Sequence, residues 1–281
     1  MRAVHHSIPT AKTLQLSNTT TTLHPLHYTI TMDVIKRNFF RLLRYGAFNE
    51  YEPTEPMSAY KWGLLQRMAQ AHYVEAIVNS ARDNTRSQNP MLSVPDAGLS
   101  RLCNGFLNRR LRKIRDAEPD SAEPSIETLN MLDIIVQTTE RLILHGVTYA
   151  YILNMGIFLR NYGDRIDFVK LEKWLQRLNI LSMAELEASI LIYTLGFQQD
   201  EIPFVRRVIP AAYNIALNAL YYDDGEENDT TVSGRHIFTL NSGGKLTETF
   251  RNCQRCFFYA PLESVSIFFT QIASYIANME E

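Results

Sequence analysis

The stretch from Ser125 to Phe204 constrains this chain most, because its apolar residues recur with a helical period and its helix ends are marked by capping residues. Ser125 is a good N-cap, and Leu129, Leu132, Ile135, Val136, Leu142 and Ile143 then suit one buried face. His145-Gly146 is a stop signal. A second helix carries Tyr149, Ile152, Leu153, Gly156, Ile157 and Leu159 and ends near Tyr162-Gly163. Asp164 or Asp167 caps a third, whose inner face is Phe168, Leu171, Trp174, Leu175 and Leu178. Ser182-Met183-Ala184-Glu185 reads as a capping box opening a fourth that runs to Leu195-Gly196. Helices joined by such short connections pack as antiparallel neighbours. The fold class expected is all-α for the most part: an irregular bundle of about eight to ten helices.

The flanks extend the pattern. Val34, Ile35, Phe39, Leu42 and Leu43 lie at helical spacing before Gly46, a plausible stop, and Pro53 and Pro56 mark a turn. One long helix is expected over Met57–Arg82, with Trp62, Leu65, Ala69, Tyr73, Ala76 and Ile77 on one face and a structural or surface His72 beside it. Further helices fit Ala211–Tyr222 and Leu262–Asn278, and at most one short hairpin fits near 230–242. Residues 1–31 have no acid, a Thr19–Thr22 tract and no apolar period, and are expected to be a disordered extension. Residues 32–281 then form a single helical domain, with 83–124 as a charged linker and basic helix inside it.

Composition bounds the chemistry. Apolar residues are 46% and charged residues 21% of 281, enough for a real core, and a net charge of -2 supplies no bulk attraction to polyanions. Three cysteines cannot build a disulfide framework, and no apolar run reaches the roughly 18 residues of a membrane span. A soluble, cytoplasmic protein with no cofactor and no membrane contact is expected. Cys253-Gln254-Arg255-Cys256 has no second pair to complete a zinc site and reads as two half-buried thiols on a helix face. Asp223–Asp229 has the wrong acid spacing for a calcium loop, and Asn241–Lys245 lacks the rest of a phosphate loop and reads as a turn.

Two stretches remain as candidate sites. Arg109, Arg110, Arg112, Lys113 and Arg115 alternate with the stripe Leu107, Leu111 and Ile114, so residues 107–115 form a basic amphipathic helix able to contact phosphates. No aromatic interleaves that run, and Asp116, Glu118, Asp120 and Glu123 follow it, which favours a solvated or internally paired face over nucleic-acid binding. The last helix is apolar over more than one stripe, with Phe268, Phe269, Ile272, Tyr275 and Ile276. It is either deeply buried or a face for another protein.

Several segments resemble the helical parts of a family of uncharacterised nucleotidyltransferase-like proteins. They are Leu142–Val147, Asn154–Arg160, Ile166-Asp167-Phe168 and Trp174-Leu175, together with Phe39–Arg44, Trp62–Leu65 and Arg255–Glu263. In that family a catalytic core with a Gly-Ser turn and paired aspartates holding Mg²⁺ lies between the two helical parts. Here only Asp83–Pro124 intervenes, without the Gly-Ser turn or an Asp-x-Asp pair, and Tyr149-Ala150 replaces the family's arginine-glutamine. The resemblance implies a relative with the helical scaffold and without the nucleotide-transferring core. The expected function is a non-catalytic scaffold or interaction protein. The alternatives are a divergent nucleotidyltransferase and a polyanion binder using residues 107–115.

Overall fold

The computed structural model describes residues 32–84, 100–118, 125–220 and 242–277, and Asp33–Glu281 cluster as one compact unit. The described residues contain eleven α-helices, two 3-10 turns and no strand, one helix more than the expected range. The helices are α1 (Val34–Phe48), α2 (Ala59–Ala71), α3 (Glu75–Arg82), α4 (Gly105–Ala117), α5 (Ser125–His145), α6 (Tyr149–Tyr162), α7 (Phe168–Arg177), α8 (Leu181–Leu195), α9 (Ala211–Ala219), α10 (Ser242–Cys256) and α11 (Pro261–Ala277). The all-α reading holds. The expected extension over 1–31, the acidic loop 223–229 and nearly all of the hairpin near 230–242 lie outside the described residues. Ser242–Lys245, read as a turn, instead opens α10.

The 21-residue α5 is the hub, packing against α6, α7, α8, α10 and α11. Thr128, Met131, Leu132, Ile135, Val136, Thr139, Leu142 and Ile143 are all buried along it. Leu129 is only half-buried, and the helix begins with Ser125 already inside it. The second layer is α8, buried on nearly every face, which fits a helix enclosed by others. α1 packs on α8 and carries α2 and α3, and α10 and α11 pack on α5.

Helix ends follow local chemistry, with instructive departures. Asp167 caps α7 by accepting from the Lys170 amide at 2.9 Å. Gly146 and Gly196 take the left-handed backbone, φ +79° and +80°, that ends α5 and α8. The Ser182 capping box does not form: α8 starts two residues earlier, with Ile180 at its cap and the Ala184 amide bonded to the Ile180 carbonyl at 2.9 Å. Burying Ile180, Met183 and Ala184 decides that start.

The helix expected over Met57–Arg82 is two helices. His72–Val74 interrupts it, with Tyr73 at φ +56°, and the apolar phase restarts after the break. Tyr73 is therefore 56% exposed and Ala76 is exposed, whereas Val74, Ile77 and Val78 are buried. His72 is buried against Phe39 and Tyr149, and burial pulls its imidazole down to about 4, opposed by a backbone hydrogen bond at Ala219.

Residues 49–58 return alongside α1. The buried Asn38 amide donates to the Glu55 carbonyl and its oxygen accepts the Glu55 amide, both at 2.8 Å. Arg37 and Arg41 pair with Glu55 and Arg44 with Glu52, and the Arg37 hydrogen bond leads in holding the Glu55 carboxyl down to about 2.

Gly46 does not stop α1, which continues to Phe48 and ends on Asn49 in the left-handed region. A Cβ at Gly46 would lie 2.6 Å from the Ile77 carbonyl oxygen and 2.7 Å from its Cγ2, so this glycine lets α3 close onto α1. Gly46→Ala should lower the unfolding free energy by about 1–3 kcal/mol in denaturant titration, because the backbone must shift. Gly63→Ala on α2, where a Cβ meets nothing within 4 Å, should instead stabilise by up to about 1 kcal/mol.

Candidate functional site

Three features of this fold have the chemistry to act: a basic face on α4, an apolar face on α10–α11, and a buried polar cluster around Glu187 of α8. The basic face begins with its anchor. Leu107, Leu111 and Ile114 are buried, which turns the remaining sides of α4 outward. With 3.6 residues per turn, Arg109, Arg112 and Lys113 fall within about 100° of arc, and all three are exposed.

The other two cations are engaged. Arg110 donates to the Arg177 carbonyl at 2.8 Å and its guanidinium stacks 4.2 Å from the centre of the Phe106 ring. Arg115 donates to the Ser100 carbonyl and hydroxyl at 2.7 and 2.6 Å and pairs with Asp133 of α5. Of the acids that follow the basic run, Glu118 is also paired, with Lys170 at 2.6 Å. Phe106, 58% exposed, lies one turn ahead of Arg109 and Arg110 and supplies the aromatic that the run itself lacks.

The apolar face is built by the last two helices. Glu263, Ser264 and Ile267 turn α11 inward. Leu262, Val265, Phe269 and Ile276 face outward, Phe269 62% and Ile276 53% exposed, and Phe268, Ile272 and Tyr275 are half-buried at the flanks. The five residues expected to form a buried or partner face are thus on α11, and none is buried in the chain. Phe250 of α10 stacks on Phe268 at 5.3 Å, and Phe257 and Phe258 follow in the α10–α11 turn, Phe258 85% exposed.

The two faces meet through a clamp that the sequence did not reveal. Both carboxylate oxygens of the buried Glu263 accept backbone amides, those of Cys103 and, at 3.0 Å, Asn104. Asn104 in turn caps α4 by accepting from Phe106 and Leu107, and donates to the Ser266 hydroxyl at 2.9 Å. Burial raises the Glu263 carboxyl and the two amides oppose that shift.

The third feature is interior. Glu187 of α8 is fully buried. The Thr139 hydroxyl of α5 donates to one of its oxygens at 2.7 Å, and the other has no hydrogen-bond partner. Burial raises its carboxyl well above the usual range, and its charge would press on the Cys256 thiol. Cys253 and Cys256 are buried rather than half-buried, and burial pushes them up to about 11 and about 12, which disfavours the reactive thiolate. Among the described residues no group of His, Cys, Asp or Glu has metal-binding geometry, and no helix is long and apolar enough to cross a membrane. A depression lined by Thr138, Arg141, Leu142, Val147, Thr148 and Tyr151 leaves no room even for a water molecule, so it is not a ligand pocket.

No family model, no curated protein and no solved structure matches this chain.

A carboxyl raised by burial favours folding below its unfolded pKa, and that contribution is lost as pH rises towards the folded value. The wild-type chain should therefore lose stability relative to Glu187→Gln from about pH 4.3 upward, by about 1.4 kcal/mol per pH unit until Glu187 ionises. Thermal unfolding of both proteins across pH 4 to 8 measures the difference. Parallel curves would show that Glu187 binds its proton equally in the folded and unfolded states, and that burial does not raise its carboxyl.

Proposed function

We propose that this chain is a non-catalytic helical scaffold, related to nucleotidyltransferase-like proteins, that binds another polypeptide through the outer face of α11. The observation that carries this reading is the uncovered row Leu262, Val265, Phe269 and Ile276 on a helix anchored from behind by Glu263, Ser264 and Ile267. Isolated exposed apolar residues need no explanation, but a contiguous row continued by exposed aromatics on the next helix marks an interaction site. The proposed relationship draws support from where the resembling segments lie: Phe39–Arg44 is on α1, Trp62–Leu65 on α2, Asn154–Arg160 on α6, Trp174-Leu175 on α7, and Arg255–Glu263 joins α10 to α11. The absence of the family's Gly-Ser and Asp-x-Asp residues from the sequence supports the non-catalytic part.

The test is a photo-crosslinking amino acid at position 269 of the full chain, expressed in its own cells. A discrete protein adduct is expected there, with none from the same probe at exposed Val169 of α7. Adding Leu262→Glu should abolish the adduct. Equal labelling at both positions would sink the reading.

A second reading rests on Arg109, Arg112 and Lys113, which share an exposed face with Phe106 and Arg110. This face fits a polyanion such as single-stranded nucleic acid, with the ring as a stacking platform. Replacing the three exposed cations by Ala should weaken binding and reduce the slope of log affinity against log salt by about 2–3. Binding with unchanged salt dependence in the triple variant would place the contact elsewhere.

A further inference from the structure

The outward row on α11 has a period as well as a composition. Its members are Leu262, Val265, Phe269, Ile272 and Ile276, separated by three, four, three and four residues. That alternation is the a/d repeat of a two-helix seam, in which each side chain enters a hole on a facing helix. The row lies opposite the buried residues Glu263, Ser264 and Ile267, and of its five members only Ile272 is half-buried. A helix that packs only against its own core turns its apolar residues inward, but of the three buried residues of α11 only Ile267 is apolar.

We infer that the occupant of this seam is α11 of a second copy of the chain, making the protein an isologous dimer. This rests on the reading of α11 as an interaction face and specifies its partner. Charge is the first argument. Residues beside the seam select partners by sign, and here they are Ser266 and Ala273 on one side and Phe268 and Tyr275 on the other. Across Pro261–Ala277 the sole carboxylate is Glu263, buried and engaged by backbone amides, and there is no Lys or Arg. Two copies therefore meet without like-charge repulsion, and the flanks offer no ion pair to a charged foreign helix.

Shape is the second argument. In a parallel pair the side chain preceding the second a position faces the one five residues on in the other helix, which sets bulky Phe268 against small Ala273 in both directions. Such large-to-small matching is self-complementary, as a two-fold interface requires. Finally, α11 is already folded on α10 and clamped at its first turn, so pairing does not bear the cost of forming the helix, and a seam of little more than two heptads suffices.

Sedimentation equilibrium of the purified full chain, over a concentration series, tests the inference. A concentration-dependent dimer is expected. Phe269→Glu and Ile272→Glu should each raise its dissociation constant by at least about 30-fold, with unchanged helicity by circular dichroism. Phe269→Leu should preserve the dimer, and Val169→Glu on α7 should leave it untouched. A monomer at every concentration overturns the inference, and so does a dimer indifferent to both seam substitutions. If the chain is monomeric while the probe at position 269 joins a different protein in cells, the interaction-face reading survives and the second copy is excluded. A monomer whose probe reacts only within its own chain removes both.

Discussion

The structure depends on one helix that can be surrounded. α5 packs against α6, α7, α8, α10 and α11 and reaches α4 through Asp133, and this works because nearly every turn of its 21 residues offers an apolar or small polar side chain to a neighbour. Thr128 and Thr139 are buried with the aliphatic residues because each hydroxyl finds a partner: Thr128 accepts the Asp167 amide, and Thr139 donates to Glu187. The second contact couples the two central helices through a polar pair in a dry interior, where a carboxyl retains its proton more readily than a charge. Among the described residues α1, α6, α7, α9, α10 and α11 each pack on at least one member of the pair α5–α8, and α2 and α3 pack on α1.

Sequence periodicity captured that centre well. The four helices from Ser125 to Leu195 lie within a residue or so of where their apolar spacing and their Gly, Asp and His signals put them. It failed where tertiary packing overrode a local signal. The break after Ala71 carries no Gly or Pro, and Tyr73 adopts φ +56° so that α3 can fold back onto α1. Gly46 resembled a terminator because helices often end on glycine, but here it makes room for the Ile77 backbone. Ser182 lost its capping role to the burial of residues around it.

The surface features divide in the same way. The basic residues of α4 were evident in sequence, but which ones are engaged was not, because the partners of Arg110 and Arg115 lie 67 and 18 residues away. On α11 apolar residues occupy more than one face, and composition alone cannot say which side of the helix is turned inward. The position of Glu263 settles it, since its carboxylate reaches the amides that precede α4 and fixes the rotation of α11 about its axis.

That clamp joins residues 160 positions apart in the chain, and the separation has a temporal consequence. Asn104 can cap α4 with its own side chain as soon as the helix emerges from a ribosome, but the amides of Cys103 and Asn104 find their carboxylate only 160 residues later. At about 5–20 residues per second that interval is on the order of ten to thirty seconds. Through it the basic helix is seated by Leu107, Leu111 and Ile114 and by the contacts of Arg110 and Arg115, while the amides of Cys103 and Asn104 lack this carboxylate. The first turn of α11 is thus the last fastener in the assembly of a helix made more than a third of the chain earlier.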